Sequence, residues 1–117
     1  MENKLFHSDV YIPSRLLALC PTGKVEVTYG FHAQRSAKTD RYGEILLPAS
    51  LFLSRESVIE IETENGRIVK VLYRLPYSKK YNLCVAFIPG QNFVKTVWLN
   101  STTDNHQTLD ISKYSVL

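Results

Sequence analysis

The clearest periodicity in the first half of the chain lies in residues 24–29, where apolar and polar side chains alternate with a period of two. This alternation predicts a β-strand. Short apolar segments that begin at or next to a proline lie on both sides of it, and they predict short helices over residues 12–20 and 49–53. Residues 31–42 contain few apolar side chains and no β-branched run, which predicts a polar surface helix or an ordered loop.

An Asn-Gly dipeptide at residues 65–66 lies between two alternating runs and predicts a β-hairpin. A two-residue loop would pair Ile61 with Lys70 and mix apolar and charged side chains on both faces. A three-residue loop, with the glycine as the left-handed residue, pairs Ile61 with Val69 instead. The same register places Glu60 opposite Lys70 on the other face. Because it separates core from solvent, the three-residue loop is the predicted one.

Two further apolar runs complete the predicted sheet. Residues 82–88 are almost wholly apolar, as in a central strand, and residues 93–99 return after a Pro-Gly turn. The polar tail, about residues 100–117, is predicted to be mostly loop. This order predicts the α+β class, with short N-terminal helices packed on a mostly antiparallel sheet of about four to five strands. We expect one domain, spanning residues 1–117.

The chain has 117 residues, of which 44% are hydrophobic, and both values are typical of one globular domain. No apolar run approaches the ~18 residues that a membrane-spanning helix needs, so we expect no membrane association. The N-terminal residues lack the basic-then-apolar order of a secretion signal. The two cysteines have no metal-ligand spacing and are expected to be reduced thiols, which favours a cytoplasmic location.

Charge is distributed unevenly along the chain, although the net charge is only +3. Residues 44–64 contain five acids and one base, whereas residues 65–103 contain six bases and no acid. A positive potential that is not neutralised locally favours an anionic partner such as nucleic acid. The alternative is that Glu60 and Glu62 neutralise these bases across the predicted hairpin.

The polar segment contains the first set of candidate catalytic residues. If it is helical, four polar side chains fall on one face at spacings of three, four and seven residues, namely His32, Arg35, Ser36 and Thr39. Phosphodiester cleavage needs a proton acceptor for the attacking hydroxyl and a cation for the charge that develops on the phosphate. The face supplies both, and the alternative is an ordinary solvated helix face.

A second set lies at the end of the last predicted strand. Thr96 and Trp98 share one face of this strand, and His106 follows in the adjoining loop. Together, His32 and His106 would supply the acid and the base of a transesterification that needs no metal. The alternative for His106 is a loop or capping residue.

Aromatic side chains interleave with the bases of the second half. Single-stranded RNA is bound by base stacking on aromatic rings and by Lys or Arg on phosphates. We therefore predict a nucleic-acid-binding surface made of Lys70, Arg74, Lys79, Lys80, Lys95 and Trp98. The alternative for Trp98, as for Tyr73, is a place in the core.

Motifs for cofactors are missing from the sequence. It contains no phosphate-binding glycine loop, no nucleophile elbow, no CxxC and no HExxH, so we expect neither cofactor nor metal. A metal site is the weaker alternative, because its ligands would be scattered: His32, Asp104, His106 and Asp110.

The chain resembles a known group of ribonucleases over about residues 30–100. The resemblance rests on a His-Ala-x-x-Arg start, an Arg-Tyr-Gly stretch and a last strand of the form Val-x-Thr-Val-aromatic, here His32, Ala33, Arg35, then 41–43, then Val94, Thr96, Val97 and Trp98. These features are similar to the RelE/ParE-like fold, which is grouped with barnase, EndoU and colicin-type nucleases. That group implies helices on a four-stranded antiparallel sheet and metal-free RNA cleavage by 2′-hydroxyl attack, which leaves a cyclic phosphate.

The resemblance also implies a role for individual residues. His32 would be a general base or acid, Arg35 a phosphate clamp, and His106 the complementary acid or base. Thr96 would hydrogen-bond a phosphate or ribose, and further electrostatic contacts would come from Lys70, Arg74 and Lys95. The end of the chain is similar to small uncharacterised phage-encoded proteins, which suggests a bacterial or phage-infected cytoplasm.

We therefore expect a metal-independent endoribonuclease acting on single-stranded RNA, as RelE-type toxins do. One alternative is a regulator that binds RNA or protein without chemistry, for example a small phage or bacterial inhibitor of a host enzyme. Another is a structural protein that assembles with itself. A protein inhibitor or a host protein would be a further partner in the first two cases.

Overall fold

A six-stranded sheet dominates the computed structural model, which describes residues 2–104 and 109–115. The described elements, in chain order, are β1 (Asn3–His7), α1 (Ser14–Leu17), β2 (Gly23–Glu26), β3 (Thr28–Tyr29), α2 (Phe31–Lys38), β4 (Ser50–Leu53), a 3₁₀ turn (Arg55–Ser57), β5 (Val58–Glu64), β6 (Arg67–Pro76), β7 (Tyr81–Ile88), β8 (Phe93–Ser101) and a second 3₁₀ turn (Ile111–Lys113).

The strand order of the large sheet is β1-β5-β6-β7-β8-β3. All its neighbours are antiparallel except β3, which is parallel to β8. A separate antiparallel pair is formed by β2 and β4. The α+β class and the mostly antiparallel sheet are confirmed, but four to five strands is too few. The sequence pattern gives no sign of strand β1, because this strand is short and forms by pairing with β5, which is distant in sequence.

Three local predictions from the first half need correction. Residues 49–53 form a strand, β4, and not a helix, because Leu51 and Leu53 are buried while Phe52 between them is 71% exposed. The predicted strand over residues 24–29 is interrupted at Val27 and divides into β2 and β3. The predicted helix over residues 12–20 contains only the single turn of α1.

The turn of the β5–β6 hairpin is a two-residue loop, so the predicted three-residue loop is wrong. Glu64 lies opposite Arg67 across the turn. Asn65 and Gly66 both have positive φ angles, 53° and 82°. This backbone matches the right-handed twist of the flanking strands, and asparagine and glycine are the residues that adopt it most readily.

An extra residue in β6 then restores the separation of core from solvent. Val69 has no partner on β5, and this shift moves Ile61 away from the position opposite Lys70. Lys70 faces Glu62 rather than the predicted Glu60, with 3.3 Å between its ammonium and the Glu62 carboxylate. The predicted segregation of charge is therefore achieved by a bulge within the strand and not by the turn.

One face of the large sheet, the core face, is covered by the helices and by the β2–β4 pair. Helix α2 packs on it through Ala33 and Ala37, which are almost fully buried. Gly30, just before α2, also allows a close approach, because a Cβ there would lie 2.5 Å from Cζ of Phe93. Small residues at these positions bring α2 against β8.

The opposite face, the second face, carries a smaller apolar cluster of Ile59, Leu72 and Ala86, against which Trp98 packs. Because successive side chains of a strand alternate between faces, Thr96 lies on this face with Trp98. Among the described residues, no helix has the length and apolarity to cross a membrane.

Enlarging a side chain beneath α2 should destabilise the fold. Ala33→Leu inserts three carbons into a fully packed contact with β8, so we expect the free energy of unfolding to fall by about 1–3 kcal/mol. Lys38→Leu, on the exposed surface of the same helix, is the control and should change it by less than about 0.5 kcal/mol. Urea denaturation measures the free energy of unfolding of both variants. Equal effects would contradict the close packing of Ala33 against β8.

The two buried thiols should make the free energy of unfolding depend on pH in the alkaline range. Burial raises the pKa of Cys20 and of Cys84 from 9.0 to about 11, while Arg55 and Arg74, respectively, lower it by a smaller amount. Between these values the unfolded chain loses thiol protons that the folded chain keeps. We therefore expect the free energy of unfolding to fall between pH 9 and about 11. Urea denaturation across this range should show a shallower fall for the double variant Cys20→Ala/Cys84→Ala.

Candidate functional site

The outer edge of β8 is open over most of its length. β3 pairs only with Phe93 and Val94, and no other described strand continues beside β8. The C-terminal half of α2 and the turn after it lie along this edge and leave an open groove, which we call the α2–β8 groove. It is lined by Ser36, Thr39, Asp40, Arg41 and the β8 residues Thr96, Val97, Trp98, Leu99 and Asn100.

Asp40 holds the two walls of the groove together. Its Oδ1 accepts a hydrogen bond from the backbone N–H of Leu99 at 3.2 Å. Its Oδ2 accepts one from the backbone N–H of Tyr42 at 3.1 Å, which closes the turn after α2. One carboxylate thus fixes the turn and covers part of the free edge of β8.

The predicted polar helix is confirmed as α2, but its four candidate residues do not all reach the groove. Ser36 and Thr39 line it, and the Thr39 hydroxyl donates to the Arg35 carbonyl at 3.1 Å. His32 and Arg35 are exposed on the same helix and are not among the lining residues. The Arg35 guanidinium carbon lies 5.7 Å from the ring centroid of Phe31.

Thr96 and Trp98 form the β8 wall on the second face, and both are half-buried. Trp98 packs against the apolar cluster of that face and is also among the residues that line the groove.

Two of the predicted binding cations are engaged with the protein itself. Lys70 forms the ion pair with Glu62. Arg74 donates to the backbone carbonyls of Ser101 and Asp104 at 2.9 and 2.6 Å, and its buried Nε has no hydrogen-bond partner among residues 2–104 and 109–115. Arg74 thus anchors the chain where it leaves β8.

The other three predicted binding cations are exposed. Lys95 is the extra residue of a bulge in β8. Lys79 and Lys80 lie in the connection between β6 and β7, where their carbonyls accept hydrogen bonds from the side chain and the backbone of Thr102 at 3.3 and 2.9 Å. Their main chains are therefore fixed while their side chains face solvent.

His106 lies outside the described residues, so the structure does not place the second predicted histidine. Within residues 2–104 and 109–115, no group of three or more His, Cys, Asp or Glu side chains could hold a metal ion. Asp110 instead accepts hydrogen bonds from the Ser112 hydroxyl and backbone N–H, which lower the pKa of its carboxyl group.

Comparisons with protein-family models, curated proteins and solved structures give no match. The likeness to RelE/ParE-like ribonucleases therefore stays a hypothesis that rests on the short motifs quoted for it.

Sequence reasoning missed the roles of Asp40 and Arg41. An Asp-Arg-Tyr-Gly run after a helix is a recognisable turn signal, with an aspartate that can bond the backbone two residues later. The partner on β8, however, is 59 residues away. No local pattern indicates which strand edge the carboxylate meets.

Removing the Asp40 carboxylate should loosen the groove. Asp40→Ala leaves the Leu99 N–H without its partner, so we expect the free energy of unfolding to fall by about 1–3 kcal/mol. Hydrogen exchange read by NMR should show a selective acceleration at Leu99 and Tyr42. Glu44→Ala, an exposed acid in the following loop, is the charge-matched control. An unchanged exchange rate at Leu99 would contradict the hydrogen bond between Asp40 and the Leu99 N–H.

Proposed function

We propose that the protein is a metal-independent endoribonuclease that cleaves single-stranded RNA. The observation that carries the proposal is the α2–β8 groove, whose lining combines hydroxyl-bearing residues of the helix side and of the strand side with Arg41 and Trp98. Hydroxyls, a cation and an aromatic surface are the groups that bind phosphate, ribose and base. His32 and Arg35 extend this chemistry along α2.

The proposed reaction is an attack by the ribose 2′-oxygen on the adjacent phosphorus. His32 accepts the 2′-hydroxyl proton, and Arg35 neutralises the negative charge that develops on the phosphoryl oxygens. The new O2′–P bond forms as the bond from phosphorus to the 5′-oxygen breaks. His106 gives a proton to that leaving oxygen. The products are a 2′,3′-cyclic phosphate and a 5′-hydroxyl end.

The remaining residues of the proposed site bind rather than react. Trp98 stacks a base, Thr96 donates to a phosphate or ribose oxygen, and Lys95 attracts the backbone. Lys70 and Arg74 contribute mainly to the electrostatic field, because each already has a partner within the protein. We place this activity in the cytoplasm of a bacterial or phage-infected cell, with a protein inhibitor as a further partner.

A regulator that binds RNA or protein without cleaving RNA is the second candidate. It is favoured by the exposure of His32 and Arg35 outside the lining of the groove. A catalytic base must come within hydrogen-bonding reach of its proton, whereas a binding cation has no such requirement.

Cleavage of a labelled RNA mixture in EDTA separates the two candidates. We expect wild-type protein to give cyclic-phosphate ends, and we expect His32→Ala to lose about a hundred- to ten-thousand-fold in rate at unchanged RNA affinity. Gln34→Ala, another exposed position on α2, is the control and should keep the rate. RNA that stays intact but shifts on a native gel would establish the second candidate, a regulator that binds RNA without cleaving it. If RNA is neither cleaved nor shifted, the ribonuclease proposal fails, and a regulator that binds protein is the form of the second candidate that remains.

A further inference from the structure

Two tyrosines that lie far apart in sequence stack beside the end of the α2–β8 groove. The rings of Tyr42 and Tyr81 have centroids 4.7 Å apart and are inclined by 29°. Tyr81 is half-buried at the start of β7 and packs against the core cluster, whereas Tyr42 is exposed in the turn after α2. Tyr81 therefore supports Tyr42, which presents aromatic surface to solvent.

Arg41 connects this stack to the groove. Its guanidinium carbon lies 4.7 Å from the ring centroid of Tyr42, in the range of a cation–π contact. The same residue lines the α2–β8 groove. The guanidinium therefore lies over the Tyr42 ring, and a base can stack on this face only by displacing it towards the groove.

A second concavity continues the groove beyond Arg41. It is lined by Tyr42, Lys79, Lys80, Tyr81 and residues 101–104. The two concavities adjoin on both walls, since Arg41 precedes Tyr42 and Asn100 precedes Ser101. Along β8, Trp98 and Ser101 are three residues apart, ~10 Å in a strand. One extended strand of several nucleotides can therefore reach both concavities.

The charge and the rigidity of this second concavity suit a polyanion. Lys79 and Lys80 are exposed, and Asp104 is the one acid among the lining residues. Thr102 hydrogen-bonds the carbonyls of both lysines, which fixes the loop that carries them. Cations beside an exposed aromatic platform are the combination that binds single-stranded nucleic acid with little sequence preference.

We propose that Tyr42, supported by Tyr81, is a stacking subsite for a base of single-stranded RNA that flanks the groove, with Arg41, Lys79 and Lys80 on the adjoining phosphates. The subsite rests on the proposed function, in which RNA is the ligand, and adds a binding position outside the groove. It assigns the enzyme a substrate of several nucleotides, recognised by stacking and charge.

Binding of 2′-O-methyl RNA tests the subsite without cleavage, because this RNA lacks the attacking hydroxyl. Trp98 is the one tryptophan in the chain, so its fluorescence reports occupancy of the groove. The probes are a trinucleotide and a nonanucleotide of the same mixed composition. Tyr42→Leu removes the platform, and Tyr42→Phe keeps it.

We expect Tyr42→Leu to weaken nonanucleotide binding by about 5- to 150-fold, the equivalent of one lost base stack. Trinucleotide binding should stay within about twofold, and Tyr42→Phe should bind like wild type. Lys79→Ala/Lys80→Ala should reduce the dependence of log K on log salt by about 1.4, at ~0.7 per phosphate contact. Arg67→Ala, a cation on the distant β5–β6 turn, should leave the slope unchanged and is the control.

Nonanucleotide affinity that is equal in wild type and Tyr42→Leu overturns the subsite, even if RNA is cleaved and the proposed function stands. Affinity that depends on Tyr42 in a protein that cuts no RNA supports the subsite while the ribonuclease proposal fails. No binding of the nonanucleotide by wild type overturns the subsite and indicates a protein ligand for this surface. If Tyr42→Leu does not fold, an unchanged salt slope in the lysine double variant overturns it.

Discussion

Helix α2 can lie close to β8 because its inward residues are alanines, and this contact is the constraint on which the candidate site depends. Ala33 and Ala37 are almost fully buried, and a larger side chain would push the helix away from the strand. The close approach brings the Asp40 carboxylate to the N–H of Leu99, so the turn after the helix is fixed to the strand edge. Packing by small residues and one charge-assisted hydrogen bond together create a groove whose walls come from two different elements.

Bulges in two strands of the sheet keep charged and polar side chains away from the buried core face. An ideal β5–β6 hairpin with the observed turn would place Lys70 opposite the buried Ile61. The unpaired Val69 corrects this, and the extra residue at Lys95 does the same where β7 meets β8. The second bulge exposes Lys95 and leaves Thr96 on the second face beside Trp98. The bulges therefore determine which side chains of these strands face the core and which lie on the second face.

Elements with a local signal could be predicted from the sequence, whereas those made by distant pairing could not. The two apolar strands 82–88 and 93–99 are encoded in adjacent residues and are confirmed. The position of the Asn-Gly turn is confirmed as well, but its loop has two residues and not the predicted three. The sequence predicts a helix at β4 because the exposed residue between its buried positions, Phe52, is also hydrophobic and hides the alternation. The candidate helix face was found in part, since periodicity places Ser36 and Thr39 together but cannot say which strand α2 meets.

The distribution of unpaired positive charge in the folded protein differs from the one that the sequence suggests. The sequence places six bases in an acid-free segment, which suggests a field spread over the whole sheet. Glu62 neutralises Lys70, and backbone carbonyls engage Arg74, so the middle of the second face offers little free charge. Among the exposed cations of this segment, Arg67 lies at the β5–β6 turn. Lys79, Lys80 and Lys95 lie at the other end and along the outer edge of the sheet, where Arg41 joins them from outside the segment. A polyanion attracted to this protein is therefore drawn to the edge of β8, where the groove and the tyrosine stack lie.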